Sequence, residues 1–368
     1  MFKEFINISI CMLVIMISLS CQNQEREIVY DVQNMPSIPL EGELMQEELL
    51  APYTKQMKMI QAYLFHFTLQ YENVCLVTNE KADTIGCFGT VGNGPGEIID
   101  WAYFSGVSSR QDTIYIYDTD AKRVNSYSLD VSENGVNYSF LKSQKVLEQS
   151  TPERMASSAI FKIHRLANGY FVGFRLMNSE SLFTLFDENL NEVSRFGDYP
   201  IDKGLVGGEE RLTTYFDGYL DVKGNSFYYG VSRFGYMARY DVSDDGHVTK
   251  VWENMYSDAR CKVEYNNLRF YGENIEGFYA FAIGEKYIYA AYSGVESGEM
   301  NRKRSAKALY PKTLLVLDLN GKPLAKFGMD KCFVPLCLDE KEEYLYIQHD
   351  DPDTSLWRYK VSDILKHL

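Results

Sequence analysis

Histidine and proline are scarce here: five His and ten Pro in 368 residues, with 26 Gly. So little Pro and Gly excludes a collagen-like or low-complexity chain. Cations are also short, with 37 Lys and Arg against 51 Asp and Glu, a formal net charge of −14. Nucleic-acid binding needs clustered Lys and Arg to release phosphate counterions, so nucleic acid is not an expected partner. Gly-x-Ser-x-Gly, His-Glu-x-x-His and Gly-x-Gly-x-x-Gly do not occur, which removes the familiar hydrolase, metalloprotease and dinucleotide signatures. No Cys-x-x-Cys and no Cys/His pairing has zinc spacing, and no cofactor or metal is expected. An apolar run of about 20 residues, the length that spans a bilayer, is missing too. What the chain has instead is 28 Tyr and 21 Phe, residues that favour strands because they pack well on a pleated face.

Residues 1–20 read as a signal peptide. Lys3 precedes an apolar segment, residues 5–19, interrupted by Asn7, Ser9 and Ser18, and the chain turns polar directly after Cys21. The small residues ahead of Cys21 resemble a bacterial lipobox, which implies a lipid-bearing Cys21 at the mature N-terminus and an outer-membrane lipoprotein of the cell envelope. The alternative is an ordinary secretory signal with a coincidental cysteine. Residues 21–26 are then a linker and residues 27–368 one domain. Once Cys11 and Cys21 are set aside, Cys75, Cys87, Cys261, Cys332 and Cys337 remain, so at least one thiol is free. Cys75 and Cys87 flank a turn, and a disulfide or two free thiols are both open there.

The rest of the chain repeats. An apolar strand, a polar turn and a second strand ending in Phe-Gly recur at residues 74–89 (VCLVTNEKADTIGCFG), 182–197 (LFTLFDENLNEVSRFG) and 314–328 (LLVLDLNGKPLAKFG), with looser copies at 124–147 and 237–253. The turns carry Asp, Asn and Gly, as hairpins require. Another aromatic-rich strand stands before each copy, at 62–69, 113–118, 170–176, 226–232, 287–292 and 344–349. A four-strand unit every 50–60 residues or so is the signature of propeller blades. We therefore expect an all-β, six-bladed propeller. Its last unit has three strands, at 332–340, 344–349 and 355–361, and residues 27–33 (EIVYDVQ) would supply the fourth and close the ring; a separate N-terminal hairpin is the alternative. Helical patterning is confined to 363–368 and 43–58.

The segment Phe88-Gly89-Thr90-Val91-Gly92-Asn93-Gly94-Pro95-Gly96-Glu97, together with the lipobox and the six-fold repeat, resembles the TolB-like six-bladed propeller lipoproteins of Gram-negative bacteria, whose pattern is related to NHL propellers. That resemblance implies architecture; most members have no established activity.

Candidate residues follow from loop position. The Gly92, Gly94, Pro95, Gly96, Glu97 loop lacks the Lys-Ser/Thr of a phosphate cradle, so its glycines read as a tight inter-blade turn capped by Glu97. Asp118 and Asp350 end second strands, where Asp commonly caps a turn. Residues 299–312 hold Arg302, Lys303, Arg304, Lys307 and Lys312, a basic insertion in an acidic chain; it reads as a solvated loop or as an arm for an anionic partner. Loops joining one blade to the next share a rim with those between second and third strands. Binding residues concentrate on loops held by rigid scaffolds, so Arg175, Arg233 and His349 are the expected ligand contacts near the axis, beside Asp118 and Asp350. The expected role is non-enzymatic binding of a protein, peptide or glycan on that rim, with membrane contact through the lipid alone. The alternative is a propeller lyase or glycoside hydrolase at the channel mouth.

The lipid claim is directly testable. Metabolic palmitate labelling should appear on the wild-type protein and vanish in Cys21→Ala; label persisting in the variant contradicts it.

Overall fold

The computed structural model describes residues 28–49, 51, 54–68, 72–99, 102–147, 159–176, 181–201, 216–264, 267–350 and 354–368. Cys21, the signal segment and the acidic turn 351–353 lie outside the described residues.

The described strands form six blades and one additional hairpin. Each blade is an antiparallel meander of four strands, running from an inner strand outward. Blade one is Gln56–Ile60, Tyr63–Phe67, Asn73–Thr78 and Thr84–Thr90; blade two is Ala102–Val107, Thr113–Asp118, Arg123–Ser132 and Gly135–Lys145. Blade three is Ala159–Arg165, Phe171–Leu176, Phe183–Phe186 and Glu192–Phe196. Blade four is Gly218–Lys223, Ser226–Val231, Tyr236–Val242 and Val248–Met255; blade five is Phe278–Ile283, Tyr287–Tyr292, Thr313–Asp318 and Pro323–Gly328. The last has Phe333–Leu338, Tyr344–Asp350 and Thr354–Lys360, with Glu43–Gln46 as its outer strand. The extra hairpin, Cys261–Glu264 with Asn267–Phe270, sits in the connection from blade four to blade five.

Successive side chains of a strand point to opposite faces. Here both faces of a blade meet neighbours, so inner positions read as continuous apolar runs rather than alternation. Phe183–Phe186 is buried at every position, and Tyr287–Tyr292 at all but the first. The core is accordingly a set of wedges between blades. Phe65, Phe67, Phe88, Phe104 and Tyr127 fill the gap between blades one and two. Met57, Leu64, Cys337, Tyr346 and Leu356 fill the gap where the first and last blades meet. Cys75 and Cys87 are free thiols, the first buried and the second exposed. Their register is offset by one, Cys75 opposite Phe88 and Leu76 opposite Cys87, which puts them on opposite faces of the hairpin.

Two expectations about the N-terminal segment are corrected. The ring is closed by Glu43–Gln46, paired antiparallel to Thr354–Lys360, and not by residues 27–33. Within 27–33, Ile28–Val29 adds in parallel to the outer strand of blade four, and Ser37–Pro39 further on does the same at blade five. Residues 28–46 thus strap the outer edges of three successive blades. Residues 43–58 are accordingly not helical: they hold Glu43–Gln46 and Gln56–Ile60. The C-terminal helix, Val361–Leu365, begins two residues before the expected segment.

The meander puts the described long connections on one face. Inner strands start there, and the described links between blades and between second and third strands lie there. The opposite face carries short turns, such as 61–62, 224–225 and 284–286.

Ring closure predicts a sharp difference between two truncations. A protein starting at residue 42 keeps the fourth strand of blade six; one starting at residue 47 leaves Thr354–Lys360 as a raw edge. The second should be less stable than the first by about 3 kcal/mol or more in urea unfolding, beyond a typical point mutant. Equal stabilities would contradict closure by Glu43–Gln46.

Candidate functional site

The inner strands converge on the axis, and their first residues enclose a cavity of about 280 Å³ on the long-loop face. All six blades contribute to it. Gln56 comes from blade one, Tyr103 from blade two, Phe161 and Lys162 from blade three, Tyr219 from blade four, Phe278 and Tyr279 from blade five and Val334 from blade six. The basic insertion of blade five adds Tyr310. That insertion folds as a helix, Glu299–Lys303, and a 3₁₀ turn, Ala306–Leu309. Most of its charge is spent locally: Arg302 pairs with Glu296 and Glu299, Lys303 with Glu299, and Lys307 with Asp350. Its Tyr310 ring meets Tyr279 edge-on, with centroids 6.0 Å apart.

Among the described residues the cavity's charged groups are two lysines and one aspartate. Lys162 donates to Asp217 Oδ1 at 3.0 Å and to the Gly218 carbonyl at 2.6 Å. Its ammonium also lies 5.3 Å from the Phe161 ring centroid and 5.9 Å from that of Tyr103, within cation–π range. Lys55 is exposed at the mouth. Burial raises the Tyr103 and Tyr279 hydroxyls above the ordinary tyrosine range, with Asp217 adding to the first and Glu276 to the second; both are neutral donors at physiological pH.

Below this cavity the axis is crossed by an ion pair. Lys58 of blade one meets Asp221 of blade four, Nζ to Oδ2 at 2.5 Å, both largely buried. Burial opposes the charge on Lys58, but the facing carboxylate outweighs it and holds the ammonium above its ordinary pKa. A second cavity of about 470 Å³ opens on the other face, lined by Lys58, Phe104, Ser108, Arg165 and Asp221 among others. His164 sits on its strand between Lys162 of the first cavity and Arg165 of the second. Among the described residues neither of its ring nitrogens has a hydrogen-bond partner. Burial first, then Lys58 and Lys162, push its pKa down to about 3.

The residues picked from sequence lie elsewhere. Arg175 is fully buried on the second strand of blade three, donating to Thr184 Oγ1 at 2.9 Å. His349 is buried in blade six against Tyr359, Nε2 to the hydroxyl at 3.0 Å, and faces a different crevice beside Leu40, Gly42 and Lys331. Neither lines the axial cavity, because their strand positions face neighbouring blades. Arg233 is nearer. It follows the lining residue Ser232 and reaches buried Glu276 at 3.6 Å, but does not itself line the wall. Asp118 accepts from the Ile99 and Ala121 amides and from Arg123, an anchor for its turn. Asp350 holds Lys307 at 3.2 Å. In the glycine loop, Glu97 Oε2 accepts from the Gly94 amide at 2.6 Å, while the Gly92 amide donates to the Ile98 carbonyl at 2.9 Å. Gly96, after Pro95, has φ +77°, and a Cβ there would run into the Phe140 ring. Among the described residues no group of three His, Cys, Asp or Glu could hold a metal. The wall residues Lys55, Tyr103, Lys162, Asp217, Tyr279 and Tyr310 carry no motif; only inner-strand position could have marked three of them, Tyr103, Lys162 and Tyr279.

No family model and no curated protein matches the chain. Solved structures do match in fold. A Bacteroides fragilis protein described as exported shares 12% identity and a TM-score of 0.54, covering 90% of this chain and 98% of its own. U3-55K is similar over 87% of this chain and 100% of its own, at 8% identity and a TM-score of 0.50. At these identities the likeness concerns the fold alone: this chain is a six-bladed β-propeller.

The buried histidines set a pH dependence. Burial lowers the pKa of His66 and of His349 to about 4, beside about 3 for His164. Unfolded histidine titrates near 6.5, so below that pH the unfolded chain binds protons that the folded ring refuses. Stability should be full above about pH 6.5 and fall toward pH 4, by about 1.4 kcal/mol per pH unit for each histidine. Urea unfolding at several pH values measures this, and His164→Leu should make the fall shallower by one proton. Stability that stays flat across the window contradicts the assignment.

Proposed function

We propose that this protein is an extracytoplasmic, lipid-anchored propeller that captures a glycan end in its axial cavity without turning it over. The observation that carries the reading is the wall itself. Tyr103, Phe161, Tyr219, Phe278, Tyr279 and Tyr310 surround a concave site on the face that holds the described long loops. Aromatic residues with a polar tip are the usual anchors of binding sites, and small-molecule pockets begin near this volume. A pocket this size takes one ring-sized group rather than an extended peptide, which favours a glycan end among the three partner classes. Hydrolysing a glycoside requires two carboxyl groups flanking the bond. The described wall offers Asp217, already engaged by Lys162, which favours capture over catalysis. The lipobox at Cys21 and the exported Bacteroides fragilis protein of like fold support the envelope location.

A panel of immobilised glycans provides the test. The wild-type protein should retain at least one, and Tyr279→Ala combined with Tyr310→Ala should weaken retention about tenfold or more at an unchanged melting temperature. Retention of none, or equal retention by the double variant, would overturn the reading.

A further inference from the structure

Resting on that reading, we infer that the group seated in the cavity is an acidic sugar, its carboxylate met by Lys55 and Lys162. The chain as a whole carries a charge of −14, yet among the described residues the cavity wall holds two ammonium groups against one carboxylate. This local excess of positive charge runs against the composition. A cleft of one sign with low-dielectric walls focuses its field on an incoming ligand of the opposite sign.

Donor counting sharpens the assignment. An ammonium has three N–H donors. Among the described residues Lys162 uses one on Asp217 and one on the Gly218 carbonyl, which leaves a third. Lys55 makes no ion pair and no side-chain hydrogen bond with any described residue, and its backbone amide alone is engaged, by the Phe67 carbonyl at 2.9 Å. Two cationic donors thus line one small cavity with capacity unspent. A carboxylate has two oxygens that accept several such bonds, and charge-assisted bonds of this kind are about twice as strong as neutral ones.

The buried histidine is an independent observation. His164 lies two residues beyond Lys162 on a regular stretch of strand, so both side chains share a face. It is 1% exposed, and both ring nitrogens lack a partner among the described residues. Buried polar groups are nearly always satisfied by protein or by ordered water. A neutral imidazole offers one donor and one acceptor; His164 lies behind the cavity wall and does not line it, so a bridging water is the group that would link it to a bound sugar. The aromatic walls provide flat faces for the ring, and by excluding water they strengthen each contact to the carboxylate.

The test uses matched probes on the folded full-length domain. Methyl glucuronoside and methyl glucoside differ only in a carboxylate replacing a hydroxymethyl group, and N-acetylphenylalanine represents a peptide C-terminus. Saturation-transfer NMR titrations should show the glucuronoside binding about tenfold more tightly than the glucoside at low salt. That advantage should shrink with added salt and be lost in Lys55→Gln, whose exposed side chain is not needed for folding. Equal binding of the two glycosides would overturn the acidic assignment while leaving glycan capture intact. An undiminished advantage in Lys55→Gln would overturn the role of that residue. Tighter binding of N-acetylphenylalanine than of the glucuronoside would make the carboxylate a peptide's and overturn the sugar. Binding of none of the three would overturn this inference, and with an empty glycan panel the capture reading as well.

Discussion

Glu43–Gln46 pairs with Thr354–Lys360 from the far end of the chain; Glu43 and Arg358, joined by hydrogen bonds of 2.8 and 3.1 Å, are 315 positions apart. Nothing else about this molecule makes sense without that pairing. A blade cannot bury its faces alone, and each leans on two neighbours through a wedge of Phe, Tyr, Leu and Val. An unclosed ring would leave the last blade with a raw edge and the wedge of Met57, Leu64 and Leu356 open to water. Closing a long loop costs entropy that grows only slowly with length, so one strand and one wedge can offset it. The exposed Glu43–Arg358 ion pair adds little by itself; it fixes register.

Once the ring is closed, the axis is determined. Six inner strands start at one face, and their first side chains have nowhere to point but toward each other or along the channel. The Lys58–Asp221 pair then divides that channel. A buried ion pair is weak evidence of net stability, because desolvation offsets much of its attraction. Losing one partner is a different matter and costs about 3–5 kcal/mol, since a buried charge is stranded. The pair stands as a floor between the two cavities and lines the lower one. The upper cavity is the aromatic-walled one, and such a cup can hold a ligand end.

Much of this architecture is legible in the sequence, for physical reasons. The third and fourth strands of a blade form a hairpin, and hairpin turns have their own chemistry: Asp187-Glu188-Asn189 and Asn320-Gly321 mark them plainly. Second strands are rich in aromatics because both their faces are buried. The closing strand is not legible. Residues 27–33 look like a strand and partly are one, at blade four, whereas Glu-Leu-Met-Gln at 43–46 has no β signature and is held there by its partner. The cavity is still less visible. Arg175 and His349 stand at loop-proximal positions, yet their neighbours bury them. Lys55, Lys162, Asp217 and Tyr310 come from segments far apart in the chain, and only closure brings them onto one wall.

The axial cup, and not a rim or an outer edge, is the proposed binding site, and a crystal structure of the protein with a retained glycan decides it. A sugar ring should lie against Tyr279 and Tyr310 with its acidic group toward Lys55 and Lys162. A glycan seated instead on the exposed outer strand of blade two, beside Phe140 and Leu141, or in the cavity beyond the Lys58–Asp221 floor, would contradict it.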